Sequence, residues 1–417
     1  MTTSLLPAVV LGIDTPIGLT IIRDLGRHGV PVYGIGRSAT ALGMHSRYLH
    51  QGLIRASSPD ALIEQIVDLG NKLGEACLFA VSESDIVFLN RHRERLRKFK
   101  CLFADSARLA SVLDKAQTFI AAEQVGIRTP RTATIARLEQ AQRLGTELRF
   151  PVVLKWANPM EAWQVLAPFG IKPEKTYYCQ TPDELMQCLR PFEPAGVFPL
   201  IQEYAPGNGL GQFILMKDGV AHYTFQHFRV HEWPPEGGFS SMCESVAPHL
   251  HGELLEKSVA LLRTLGWEGV AMVEYRYDAA SGEATLMEVN GRFWGSLPLA
   301  YHAGAHFPYL YYRLFGLDLP VVSSTYRAGV RCRYMVPETK RLARVLFQAH
   351  KIPDRSLSFR KIPELLGYVA DFIRPHSSYY VFDRKDPQPF LQDVSQMFNK
   401  LIRKRPAKPA ASPPRTA

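Results

Sequence analysis

The stretch TLMEVNGRFWGS (residues 285–296) sets Glu288 and Asn290 two apart on an apolar strand, followed at once by Gly291, Arg292 and Trp294. Charged and amide groups in such surroundings are costly unless they are paired or bind something. A few residues upstream, GVAMVEYRYD (269–278) reads as a second strand, and Ser281-Gly282 marks the loop between the two. The pair is therefore a β-hairpin with a short loop. If Glu274 faces Glu288, the hairpin is centred on residue 281, inside that loop. Period-two alternation then sets Glu274, Glu288 and Asn290 on one face, together with Val270, Met272 and Leu286.

Facing side chains on paired strands lie roughly 4.5–5.5 Å apart, where like charges repel. Two carboxylates held so close in partly apolar surroundings must share a proton or bind a cation. Carboxylate oxygens with an amide oxygen suit magnesium, or manganese, which also keep waters and accept phosphate oxygens.

A metal–phosphate site needs cations as well. Lys155 lies in FPVVLKW (150–156), an apolar strand in which an ammonium is expensive unless it reaches an anion. Lys115 begins a helix, whose positive dipole end favours an approaching anion. Arg292 could clamp a phosphate or carboxylate bidentately. EGGFSS (236–241) supplies flexible amides and hydroxyls suited to a lid. Arg229 and His231 are candidates for an acceptor site, and Trp156, Trp163 and Trp294 for packing near a nucleotide.

The chain has 417 residues, 46% hydrophobic and 21% charged, enough for a substantial core and two to four domains. Six scattered cysteines without a CxxC pair point to reduced thiols and a cytoplasmic protein. No secretory signal or transmembrane stretch is apparent. The segment 403–417 carries five of the basic residues and no acid, so without it the net charge falls from +10 to +5. Its Pro/Ala/Lys composition predicts a disordered basic tail. The run RHRERLRKFK (91–100) reads as one solvated helix face, and no nucleic-acid module accompanies it.

Strand, helix and strand alternate from AVVLGI (8–13) through EACLFAVS (75–82), followed by a helix over 84–99. Residues 1–112 are expected to form a doubly wound, parallel α/β domain. Gly12 and Gly18 are six apart, and Arg37 follows the second strand where a dinucleotide site requires an acid. A nicotinamide-dependent oxidoreductase would rest on that unit alone. From 113 the pattern becomes α+β: an expected small subdomain over 113–200, a metal and phosphate subdomain over 201–328, and a helical extension over 329–402.

In this order, LDKAQTF with GIRTP, FPVVLKW, LIQEYAPG, GVAMVEY and LMEVNGRFWGSLPLA resemble the ATP-grasp superfamily, specifically the branch similar to carbamoyl phosphate synthetase domains and small carboxylate–amine ligases. The resemblance covers about residues 5–330, the first domain matching the Rossmann-like domain that precedes ATP-grasp. It implies that Lys115 and Lys155 hold the α- and β-phosphates of ATP. The backbone around Glu203, Tyr204 and Ala205 would meet the adenine edge. Glu274, Glu288 and Asn290 would hold magnesium, and Arg292 would meet the γ-phosphate or an acyl phosphate. The implied chemistry is ADP-forming ligation of a small-molecule carboxylate to an amine; a homodimer is a candidate assembly.

The chain departs from the family pattern twice. The segment ANPMEAWQVLAPFG (157–170) replaces a glycine-rich loop, and GNGLGQ (207–212) offers Asn208 and Gln212 where an acid often meets the ribose. A nucleotide-binding module with little turnover is the alternative those departures raise.

Overall fold

A computed structural model describes residues 5–403 apart from 158, 175, 323, 324, 353 and 356, with the side chains of 159–161 and 398–403 also outside the description. The expected tail lies outside the described residues from 404 onward. Three sheets organise the described residues.

The first is parallel, built from β1 (Ala8–Leu11), β2 (Val32–Gly36), β3 (Gln51–Ile54), β4 (Ala76–Ala80) and β5 (Phe99–Leu102) in the order β3-β2-β1-β4-β5. β1 and β4 are buried at every position, as the apolar runs require of strands covered on both faces. Helix Pro16–Arg27 opens with Thr15 accepting from the Gly18 amide, and helix Glu83–Arg91 with Ser82 accepting from the Asp85 amide. The helix expected over 84–99 ends at Arg91, because Phe99–Leu102 is drawn into the sheet as β5. Phe99 and Leu102 are buried there, so sheet pairing outweighs the helical charge pattern.

The second sheet is small and antiparallel: β6 (Thr132–Ala133), β7 (Val152–Lys155), β8 (Thr176–Cys179) and β9 (Leu200–Glu203), ordered β6-β9-β7-β8. The third has seven strands: β10 (Asn208–Lys217), β11 (Val220–Trp233), β12 (Phe239–Ser245), β13 (Gly269–Asp278), β14 (Glu283–Asn290), β15 (Arg331–Arg333) and β16 (Ser377–Tyr379). Their order is β14-β13-β10-β11-β12-β15-β16.

The cores divide differently from the expected boundaries. Val10, Phe79, Phe213, Met272 and Trp294 belong to one apolar cluster, which joins the first sheet to the large one. Val152, Leu154, Leu185 and Ile201 form a separate core within the small sheet and its helices. Helix Lys115–Gln124, expected in the small unit, packs its Ala121 and Ala122 with Val289 of β14. The segment over 329–402, expected to be helical, also supplies β15 and β16 to the large sheet. Edge pairing with β12 satisfies backbone groups that a purely helical packing would leave open. All six cysteines are unpaired.

A buried ion pair ties the C-terminal segment to the first domain. Arg23 Nε donates to Asp386 Oδ2 at 2.9 Å, both side chains being 1% exposed. Its Nη2 donates to the Val381 and Asp386 carbonyls, while Ser46 Oγ and the Arg47 amide donate to the same carboxylate. Asp386→Ala removes the carboxylate and leaves the guanidinium buried, which costs about 3–5 kcal/mol. The urea midpoint should fall accordingly, whereas Glu253→Ala, which breaks the exposed pair with Lys257, should leave it unchanged.

Candidate nucleotide and metal site

The hairpin register places Glu274 opposite Glu288 and Met272 opposite Asn290. Beyond that pair a bulge intervenes: Tyr275 faces Leu286, and Met287 is the extra residue. The bulge turns Leu286 into the core beside Tyr275 and Val289, off the face expected for it, and Met287 lines the cleft instead.

That cleft, about 580 Å³, runs between the large sheet, the small sheet and the carboxyl edge of the first. Lys115, Lys155, Glu274, Glu288, Asn290 and Arg292 all line it. Glu203, Tyr204 and Ala205 do not. The amides of Glu203 and Tyr204 donate to the carbonyls of Arg131 and Pro151, so neither amide is open to a ligand edge there. Tyr204 approaches the cleft through its ring contact with the lining residue Tyr178, 6.5 Å between centroids. Trp156 and Trp294 line the cleft; Trp163 is exposed elsewhere.

Arg229 on β11 reaches Glu274 on β13 across the intervening β10. Its Nη2 donates to Glu274 Oε2 at 2.5 Å and its Nη1 lies 3.4 Å from Glu232 Oε1. The lane is open because β10 carries Gly209 and Gly211 there. A Cβ on Gly209 would sit 2.6 Å from Arg229 Cδ, and one on Gly211 would sit 2.7 Å from His227 Nε2. The glycines of GNGLGQ thus permit a cross-sheet ion pair. Arg276 extends the chain of charges through Glu232 at 3.5 Å.

The two facing acids are driven apart electrostatically. Burial pushes the Glu274 carboxyl up, Arg229 opposes this, and Glu288 and Glu232 add to the rise. For Glu288, burial also pushes upward, but Lys115, the hydrogen bond from Asn290 and Arg229 outweigh it and hold the pKa below the usual value. Lys115 Nζ lies 3.8 Å from Glu288 Oε2, and Asn290 Nδ2 donates to Glu288 Oε1 at 3.1 Å. Helix Lys115–Gln124 is started by Asp114, whose carboxylate accepts the Ala116 and Gln117 amides.

Lys155 Nζ donates to Gln202 Oε1 at 3.2 Å, and Gln202 in turn donates to Thr132. Among the described residues, the other lining cations, Lys115, Arg229, Arg276 and Arg292, each face a carboxylate, whereas Lys155 contacts a neutral amide. Its charge is the one left for a ligand. Burial and the neighbouring Lys115 pull its pKa down to about 8, with Glu288 partly opposing.

Arg292 is anchored from the first domain. Its Nε donates to Glu83 Oε1 at 2.9 Å, and its Nη2 to Asn290 Oδ1 at 3.3 Å. Glu83 opens the helix that follows β4, so the carboxyl edge of the first sheet orients Arg292. The loop after β11 and the start of β12 close the far side: Gly237, Gly238 and Phe239 line the cleft, and the Tyr178 hydroxyl on β8 donates to the Glu236 carbonyl. His231 faces away from it, its Nδ1 2.5 Å from Glu338 Oε1.

Glu83, Glu232, Arg276, Tyr178 and Gln202 are the members of the site that sequence reasoning missed. Arg276 shares strand parity with Glu274, a signal that was available; Glu83 lies 209 residues from Arg292 and carried none.

An oxygen-only set of Glu274, Glu288 and Asn290 matches the ligands a hard divalent cation takes. Among the described residues, no cluster of three or more His, Cys, Asp or Glu side chains offers a competing metal site.

No family model and no curated protein matches the chain in sequence. Solved structures do match in fold. The biotin carboxylase domain of Hydrogenobacter thermophilus 2-oxoglutarate carboxylase, determined with MgADP, ADP and bicarbonate, aligns at TM-score 0.59 and 15% identity, over 79% of this chain and 74% of that one. An N5-carboxyaminoimidazole ribonucleotide synthetase in its ADP complex aligns at TM-score 0.60 and 14% identity, over 83% and 88%. The L-amino acid ligase of Bacillus licheniformis aligns at 0.55 and 15%, over 75% of each chain.

A polyphosphate bound beside Lys155 would restore the proton that burial removes. Nucleotide binding near pH 8 should therefore take up protons, seen as a calorimetric heat that varies with the ionisation enthalpy of the buffer. Uptake should shrink at about pH 6, where the lysine is already charged, and vanish in Lys155→Met. Equal heats in all buffers at pH 8 would contradict this placement of Lys155.

With three sheets in this arrangement and these matches in solved structures, the chain has the ATP-grasp fold preceded by a Rossmann-like domain.

Proposed function

We propose that the protein is an ATP- and magnesium-dependent ligase that activates a carboxylate as an acyl phosphate and joins it to an amine. The observation that carries this reading is the opposed Glu274–Glu288 pair, with Asn290, in one cleft with Lys115, Lys155 and Arg292. The fold is shared with a biotin carboxylase domain solved with MgADP and a synthetase solved with ADP, which supports the same reading.

Magnesium held by Glu274, Glu288 and Asn290 would neutralise phosphate oxygens and gather them for transfer. The chain's own residues do the rest. Lys155 leaves Gln202 for a phosphate oxygen, and Lys115, at a helix N-terminus, supplies a second positive end. The adenine edge would lie toward the hinge formed by Glu203, Tyr204 and Ala205. Arg292, oriented by Glu83, faces the charge that develops as a carboxylate oxygen attacks the γ-phosphorus and the bond to ADP breaks. The amine then attacks the acyl carbon, phosphate departs and a proton is lost. Such transfers depend on positioning and charge more than on a protein nucleophile.

A second reading is a nucleotide-binding module with little turnover. It draws support from helix Pro159–Leu166, which stands where the family's flexible glycine-rich loop would be.

ADP release measured over a panel of small carboxylates and amines separates the two. Ligase activity predicts release that depends on both acceptors, lowered at least about 100-fold in kcat/KM by Glu288→Ala or Lys155→Ala. Unchanged turnover in these variants would overturn the assignment. Tight Mg-ATP binding without release over the whole panel would favour the module.

A further inference from the structure

Helix Lys361–Ala370, KIPELLGYVA, continues into DFIRPH. Ile362, Leu365, Leu366, Val369, Phe372 and Ile373 follow the spacing of one helix face, the stripe that a globular helix turns to its core. Here the stripe faces outward: Ile362 is 73% exposed, Leu366 64%, Val369 58% and Ile373 87%. No residue of the helix is buried.

The helix is anchored through its inner side. The Tyr368 hydroxyl meets Thr339 Oγ1 at 2.7 Å, and Arg341 pairs with Glu364 at 2.8 Å, both from helix Met335–Phe347. Arg333 lies beneath the rings of Tyr368 and Phe372, at 4.6 and 4.7 Å. That guanidinium is fully buried, so the helix is held from below.

The exposed charged residues at the two ends of the stripe are basic. Glu364 is engaged by Arg341, and the buried Asp371 by Arg331 at 3.1 Å. Arg360, Lys361 and Arg374 are exposed, and Arg360 and Arg374 also line a cleft of about 780 Å³ beside the helix.

We propose that this face binds the surface of a bilayer containing anionic lipid, with the helix lying in the interface plane. Ile362, Leu366, Val369 and Ile373 enter the boundary between headgroups and acyl chains, while Arg360, Lys361 and Arg374 meet lipid phosphates. Ten residues of helix rise about 15 Å, half a bilayer core, and no helix among the described residues is long and apolar enough to cross one. A second copy is a poorer occupant. A twofold contact centred on this stripe would bring its basic rim against the same basic rim. The inference is independent of the reaction catalysed.

Flotation of the full chain with vesicles tests it. Phosphatidylcholine alone should recover little protein. Vesicles with about a third phosphatidylglycerol should recover at least about tenfold more, and added salt should weaken the binding. Leu366→Glu combined with Ile373→Glu, both at exposed positions, should return recovery to the neutral-vesicle level with the melting temperature unchanged. Arg360→Glu with Lys361→Glu should lower it independently. Absence of anionic-vesicle binding, or equal binding by the Leu366/Ile373 variant, would overturn the proposal. So would a dimer in light scattering that this variant dissociates while no vesicles are bound.

Discussion

Glu274 and Glu288 face each other across two paired strands, and like charges at that separation repel. Much of the cleft can be understood as the response to that single cost. Lys115 and Asn290 keep Glu288 ionised, while Arg229 compensates Glu274. Arg229 can do so only because β10 has no side chains at Gly209 and Gly211, where a Cβ would meet Arg229 or His227. The arrangement leaves two carboxylates and an amide oxygen in a cleft whose lysine at position 155 has only a neutral partner among the described residues. In the proposed function, a triphosphate with a divalent ion would complete that charge pattern on both sides.

The packing gives this site one rigid wall and one separable wall. The first sheet and the large sheet share a core, so the hairpin and the Glu83–Arg292 contact belong to one body. The small sheet, which carries Lys155, has its own core. It meets the turn between β11 and β12 through Tyr178 with Glu236, and the C-terminal segment through Tyr204 with Asp354. Polar contacts of this kind can part at modest cost, whereas a shared apolar core cannot. The lysine and the carboxylates therefore stand on separately packed cores.

Local patterns in the sequence carried much of this. Two apolar strands around Ser281-Gly282 were enough to set the Glu274–Glu288 register, since strand period and loop length leave few alternatives. The bulge at Met287 was not legible, because an extra residue in a strand leaves no mark on alternation until its partner is known. Leu286 consequently lies off the face that strand alternation predicts for it. The stretch 84–99 reads as helix by charge spacing, yet Phe99–Leu102 joins a sheet through β4, a contact that no local pattern announces. The same reason hid Glu83, whose role depends entirely on where the first domain docks. Helix Lys361–Ala370 carries an ordinary amphipathic pattern; only its exposure distinguishes it from a core helix.

The proposed function requires the facing carboxylates to hold a divalent ion against a triphosphate. A crystal structure grown with manganese and a non-hydrolysable ATP analogue tests it most directly, because the anomalous signal locates the ion independently of the protein coordinates. The predicted result is an anomalous peak between Glu274, Glu288 and Asn290, with the analogue's phosphates beside Lys115 and with Lys155 drawn from Gln202. Nucleotide bound elsewhere, or bound here with no ion at the three side chains, would contradict it.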